Sequence, residues 1–429
     1  GQRRAHRGDA EAGARPPGVT LAPAPGEIPA RTHLLPALGF VLAGLLGRAL
    51  IDKALVLRGG AELVAHWAQL GSLVDSVAGV ALAGIGIGLT GRVAAVAPSR
   101  QRRLLGDAVR LGLLLSGACL LLAAGLAAGG WLLPLPPPLA GLLLPALGAG
   151  WLAVAPGMLI AWLLGCGQPG RATAVASLFL AGPLLALCLA APGGELAALL
   201  GTQAALGLVL TLRLLGGEGS WREALGAGHG LRPFVVAGIA IGILSPAATA
   251  VARLQIASAA SWELAGVVQA LWRSSEWITA IASGLLNAHF LPRLAAARDR
   301  AGFGAELRAA ARQVVLPALL ALGLLWLLLP QALALLYREG LPAGRVDAIA
   351  FLAGDALRMV SWIFLCGLFA RGAGWAVTAG ELLSLPLFAA LLFLLPGPLS
   401  LAATGAAWML AYAAYAAFNA WALRRHFAA

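Results

Sequence analysis

The sequence predicts an all-α polytopic membrane protein with twelve transmembrane helices in two sets of six. Three observations carry that prediction. The 429 residues are 60% hydrophobic and only 11% charged, with a mean hydropathy of +0.87, whereas soluble domains carry roughly 25% charged residues. Apolar runs of about 20 residues, the length that crosses a bilayer, recur along the chain. Arginine alternates between connections, crowding one side and sparing the other. A soluble helical bundle would need polar faces at helical period, and Leu111–Leu133 and Leu316–Leu329 have none.

The predicted spans are 34–57, 67–96, 105–132, 139–164, 172–191, 195–215, 233–257, 263–290, 312–336, 346–370, 373–395 and 399–423. Turn formers mark the joints: Gly59-Gly60, Pro136-Pro137-Pro138, Gly167-Gln168-Pro169-Gly170, Pro192-Gly193-Gly194 and Pro396-Gly397-Pro398. Residues 1–32, rich in Pro, Gly and charge, read as a disordered tail. They lack the apolar core of a secretory signal, so the first span would be its own insertion signal. The polar stretch 217–232 is the longest connection. It divides the chain into a first lobe over 33–216 and a second over 233–429, and two sets of six spans enter the membrane in the same sense.

Orientation follows from the arginines. One set of connections carries fifteen, at 100, 102, 103, 171, 213, 222, 232, 293, 298, 300, 308, 312, 371, 424 and 425, and the other carries four basic residues, Lys53, Arg58, Arg338 and Arg345. Positive residues are retained in the cytoplasm, so both termini are expected there, in keeping with an even number of spans. The net charge of +12 is thereby topological and not a nucleic-acid footprint. Every outward connection is short, which leaves no external domain for catalytic machinery. Cys119, Cys166, Cys188 and Cys366 stand alone in or beside apolar runs and read as packing residues. His289 stands at a helix end without a second His or Cys at metal spacing, so no metal site is expected. Trp67, Trp131, Trp262, Trp375 and Trp421 fall near predicted span ends, as in an aromatic belt.

Ionisable groups at membrane depth are costly and usually face a cavity or a partner. Arg48 and Asp52 stand at i,i+4 in the first span with Lys53 beside them. They form either a cationic wall for a phosphate or a self-neutralised pair with a snorkelling lysine. Asp75 sits in the second span before a glycine-rich run that lacks the Lys-Ser/Thr of a phosphate loop. Arg253 with Gln255 closes the seventh span, and Arg273/Glu276 and Asp355/Arg358 stand at i,i+3 in the eighth and tenth. Guanidinium groups stay charged and match phosphate oxygens bidentately, so a cavity shared by Arg48, Arg253, Arg273 and Arg358 would suit a diphosphate. The alternative is a set of structural ion pairs. Glu381 has no basic neighbour at i±3 or i±4. It either carries a proton or pairs with an arginine on another helix.

The segment WELAGVVQALWRSSEWITAIASGLLNAHFLPRLA resembles spans seven to eight of Wzx-type flippases. GDALRMVSWIFLCGLFARGAGWAVTAGE is similar to their tenth and eleventh spans, and AHWAQLGSLVDSVAGVALAGIGIGLT to their second. These flippases are O-antigen and enterobacterial common antigen lipid translocases of the multidrug/oligosaccharidyl-lipid/polysaccharide exporter superfamily. The resemblance implies two six-helix lobes around a V-shaped central cavity in the bacterial inner membrane. It also implies ion-gradient-coupled transfer of undecaprenyl-diphosphate-linked oligosaccharide to the periplasmic leaflet. Arg48, Lys53, Arg253, Arg273 and Arg358 would then contact substrate, and Asp75, Glu276, Asp355 and Glu381 would serve charge balance or ion coupling. The expected partners are the lipid-linked glycan, membrane lipids and other glycan-assembly membrane proteins, with no nucleic acid, no cofactor and no enzymatic activity. The first alternative is a multidrug or small-molecule antiporter of the same superfamily. The second is a membrane glycan polymerase or ligase, which would usually carry a large external catalytic loop.

Overall fold

The computed structural model describes residues 31–93, 96–129, 135–216, 221, 232–297, 299–337 and 343–428. Most of the expected tail and linker, together with Trp131, Arg222, Arg298 and Arg338, lies outside them. The first helix, Arg31–Ala81, breaks at Gly59 and Gly60, where Gly60 takes φ 71° and ψ −167°. A side chain is strained there and glycine is not, so the segment is two spans, α1 (31–58) and α2 (61–93). α3 is Pro98–Ala128, α4 is Leu143–Gly165, α5 is Pro169–Leu189 and α6 is Glu195–Leu215. The second half comprises α7 (Arg232–Ala259), α8 (Trp262–Leu285, prolonged to 296 by a π-helical turn and a final helical turn) and α9 (Arg300–Leu327). It ends with α10 (Arg345–Ala370), α11 (Gly374–Leu394) and α12 (Leu401–Ala428). The fold is the expected all-α one of twelve spans in two six-helix lobes.

Three helix starts differ most from the predicted ones. α2 starts six residues early because the backbone reverses within Gly59-Gly60 alone. α3 starts at Pro98, whose fixed φ suits the first helical position. α9 starts at Arg300, capped by the Asp299 carboxylate, which accepts from Gly302 N at 3.3 Å. Arg100, Arg102, Arg103, Arg300, Arg308 and Arg312 are therefore helical residues rather than loop residues. Their long stems can reach the interface from within a helix.

The apolar packing has a direction. One cluster joins both lobes near the arginine-poor end. It unites Leu55, Val64 and Leu199 with Leu271, Leu333, Phe351 and the Trp408 aromatic nest. Trp408 stacks on Phe351 with centroids 5.2 Å apart and a 5° interplanar angle. Toward the arginine-rich end each lobe has its own cluster, around Ile85, Val109 and Met158 in the first and around Phe290, Phe303 and Met359 in the second. The buried apolar residues of the two lobes thus form one core at one end and separate clusters toward the other.

Candidate functional site

A cavity of about 400 Å³ lies between the lobes, lined from α1, α2, α5, α6, α7 and α8. Its charged residues are Arg48, Arg253 and Arg273 with Asp52, Asp75 and Glu276, and its polar residues include Ser72, Gln203, Thr249 and Gln269. Among the described spans, α8 misses the apolarity of the others, and Gln269, Arg273 and Glu276 lower it.

The charges are joined across the lobe boundary. Arg273 Nε donates to Asp52 Oδ2 at 3.2 Å, and its Nη1 donates to Glu276 Oε2 at 2.6 Å. Arg48 Nη1 reaches Glu276 Oε1 at 3.3 Å. The i,i+4 pair expected between Arg48 and Asp52 gives way to these two bridges between α1 and α8. Packing α1 on α8 places opposite charges from the two helices face to face, so each cation finds a carboxylate across the boundary. The Arg273/Glu276 pair forms as its spacing predicts.

Arg253 has different surroundings. It is 4% exposed, and its Nη1 donates to Ala68 O and Gln69 Oε1, each at 3.0 Å, and to Ser72 Oγ at 3.2 Å, all on α2. No carboxylate among the described residues pairs with it, and its Nε is buried without a hydrogen-bond acceptor. Neutral acceptors orient this guanidinium without cancelling its charge. Asp75, one turn beyond Ser72, is exposed to the cavity and forms no ion pair within 4.0 Å among the described residues.

The other predicted residues lie outside this lining. Lys53 Nζ donates to Leu335 O beyond the end of α9, at the arginine-poor end. Arg358 sits deeper in the second lobe. Its Cζ is 4.8 Å from the Trp362 ring centroid and 5.7 Å from that of Tyr412, and Asp355 Oδ1 is 3.9 Å away. Asp355 is fully buried and accepts from Trp408 Nε1 at 3.3 Å. Glu381 accepts from Tyr415 Oη at 2.8 Å and from Ser384 Oγ at 3.4 Å. Hydroxyl groups hold it, rather than the arginine on another helix that was one of the two alternatives the sequence left open. Trp67 lines the cavity and Trp262 packs on His66, with centroids 4.6 Å apart. An early start for α2 carries Trp67 inward from the membrane interface. Ser72, Gln203, Thr249 and Gln269 escaped sequence reading because single neutral polar residues in apolar helices give no signal of direction.

No family model matches the chain, and no curated protein matches it in sequence. Solved structures match it over nearly their whole length. An inward-facing multidrug resistance MATE family transporter of the MOP superfamily aligns with TM-score 0.69 at 15% identity, covering 91% of this chain and 98% of that one. An outward-facing structure of the same description aligns at 0.63 and 15%, covering 93% and 96%. A MOP superfamily transporter from Pyrococcus furiosus, described as having a binding pocket of reversed polarity that suggests a different function, aligns at 0.62 and 16%, covering 93% and 96%. The chain therefore has the fold of these transporters.

Proposed function

We propose that this chain is an alternating-access transporter that flips an anionic lipid-linked oligosaccharide, of the undecaprenyl-diphosphate class, from the cytoplasmic to the periplasmic leaflet. The observation that carries the reading is Arg253: a buried guanidinium, facing a chamber between the lobes, with no carboxylate at ion-pair distance among the described residues. A buried unpaired charge is costly, and a diphosphate supplies its missing counter-charge with oxygens that match the guanidinium fork. Arg48 and Arg273 stand on the facing helices, ready to exchange their carboxylates for the same headgroup. With the arginine-rich end in the cytoplasm, the chamber opens inward. The higher score of the inward-facing relative is consistent with that state. The setting is the inner membrane with both termini cytoplasmic, alongside the enzymes that build and extend the glycan.

A second reading has its own support. Three carboxylates line the same chamber as the three arginines, and Asp75 is exposed there without an ion pair among the described residues. A cationic small molecule exchanged for an ion would use Asp75. Transfer between leaflets, assayed in proteoliposomes with undecaprenyl-diphosphate-linked oligosaccharide, separates the two. In the flippase reading Arg253→Gln weakens lipid binding about 30-fold, the loss of roughly 2 kcal/mol from a charge-assisted contact. No leaflet transfer by the wild type, with uptake of a cationic dye that Asp75→Asn abolishes, would establish the antiporter instead.

A further inference from the structure

The polar face of α8 does not end at the chamber. Arg273, Glu276, Ser283 and Asn287 follow one another at steps of three, seven and four residues, which keeps them on one side of a helix. On α10, Arg358, Trp362, Leu365 and Phe369 repeat at four, three and four. Where the two stripes meet, beyond the chamber toward the arginine-rich end, they enclose a second cavity of about 220 Å³ lined by Ser283, Asn287, Trp362, Leu365 and Phe369 among others. α8 changes to a π-helical turn at Leu286–Phe290, within this lining. Such turns re-aim side chains and recur at functional sites.

The lining selects a ligand by what it contains and what it lacks. No charged side chain among the described residues contributes to it, and the nearest charge on the α10 stripe is Arg358, stacked beside Trp362. A cation therefore finds no counter-charge and meets a like one. An alkyl chain would leave the Asn287 carboxamide, which has no hydrogen-bond partner among the described residues, without one. Ser283 Oγ donates to Ala280 O at 3.1 Å and keeps its lone pairs for an incoming hydroxyl. An indole surface beside neutral donors and acceptors fits a pyranose ring, which has an apolar C–H face and a rim of hydroxyls.

Resting on the flippase reading, we propose that Trp362, Ser283 and Asn287 form a sugar subsite that holds a distal residue of the glycan while the chamber arginines hold its diphosphate. Ser283 lies ten residues along α8 from Arg273, about 15 Å at 1.5 Å per residue. The first sugar on the diphosphate falls short of the subsite, and a later one reaches it.

The test compares two probes in detergent micelles: undecaprenyl-diphosphate-linked monosaccharide and the same lipid carrying a tetrasaccharide of neutral hexoses. Wild type is expected to bind the longer probe about tenfold tighter, the upper range for one aromatic contact. Trp362→Ala removes that advantage and leaves the monosaccharide affinity unchanged, Trp362→Phe retains part of it, and Asn287→Ala reduces it. Arg253→Gln weakens both probes alike. Equal wild-type affinity for the two probes, or an advantage that survives Trp362→Ala, overturns the subsite while leaving the flippase reading intact. Binding of neither probe by wild type overturns both.

Discussion

At the scale of single residues, the chamber holds two kinds of arginine. Arg273 is balanced by Asp52, which is 2% exposed, and by Glu276. Removing the cation alone strands Asp52 in a desolvated site. Arg273→Met should therefore destabilise the protein by about 3–5 kcal/mol, whereas the double variant Asp52→Leu/Arg273→Met recovers most of the loss. Thermal unfolding in detergent measures both, and an Arg273→Met variant as stable as wild type would remove the buried pair from the account. Arg253 is held by neutral acceptors, so in the flippase reading Arg253→Gln should cost little stability while weakening lipid binding about 30-fold. In that reading those two residues separate structural charge from charge kept available for a ligand.

At the scale of helices, backbone contact sets the lobe boundary. A side chain on Gly266 of α8 would collide with the Ala61 carbonyl of α2, and side chains on Gly79 of α2 and Gly242 of α7 would each collide with the other's carbonyl. These crossings involve main chain, which cannot rotate aside. Gly266→Ala and Gly79→Ala should each cost roughly 1–3 kcal/mol and widen the boundary. Gly284→Ala, on the same α8 where no atom lies within 4 Å of the added methyl, should be neutral or gain about 0.5–1 kcal/mol from helix propensity. Equal costs at Gly266 and Gly284 would show that glycine content rather than close approach governs these helices. The glycine run after Asp75 was legible as a packing signal, but its partner Gly242 lies in a stretch with no such run.

At the scale of the whole molecule, the transporter reading makes the shared core at the arginine-poor end and the separate cores at the other one of two states. Alternating access requires the shared end to open. Cysteines replacing His66 and Trp262, whose rings touch across the boundary at that end, should cross-link in a background lacking the four native cysteines. The cross-link should stop transport, and a reductant should restore it. Undiminished turnover of the cross-linked protein would mean that this end does not open. A membrane-impermeant thiol reagent should modify a cysteine at Asn287 from the arginine-rich side.

Much of this architecture was legible in the chain because the bilayer is a demanding solvent. Apolar length fixes where spans lie, and arginine asymmetry fixes how they alternate. Main-chain hydrogen bonds must be satisfied within each span, so twelve apolar runs leave few alternatives to twelve helices. Arg48, Arg253, Arg273, Asp75 and Glu276 were legible because charge at membrane depth demands a reason. Tertiary structure alone decided which charge meets which. Arg48 and Asp52 share a helix face in sequence, but the approach of α8 offers each a stronger partner, and spacing along one helix carries no information about a helix two hundred residues away. The same limit hid Lys53's carbonyl partner, the hydroxyls around Glu381, and the neutral acceptors around Arg253, since a charge held without an ion pair is recognised only after its neighbours have been placed.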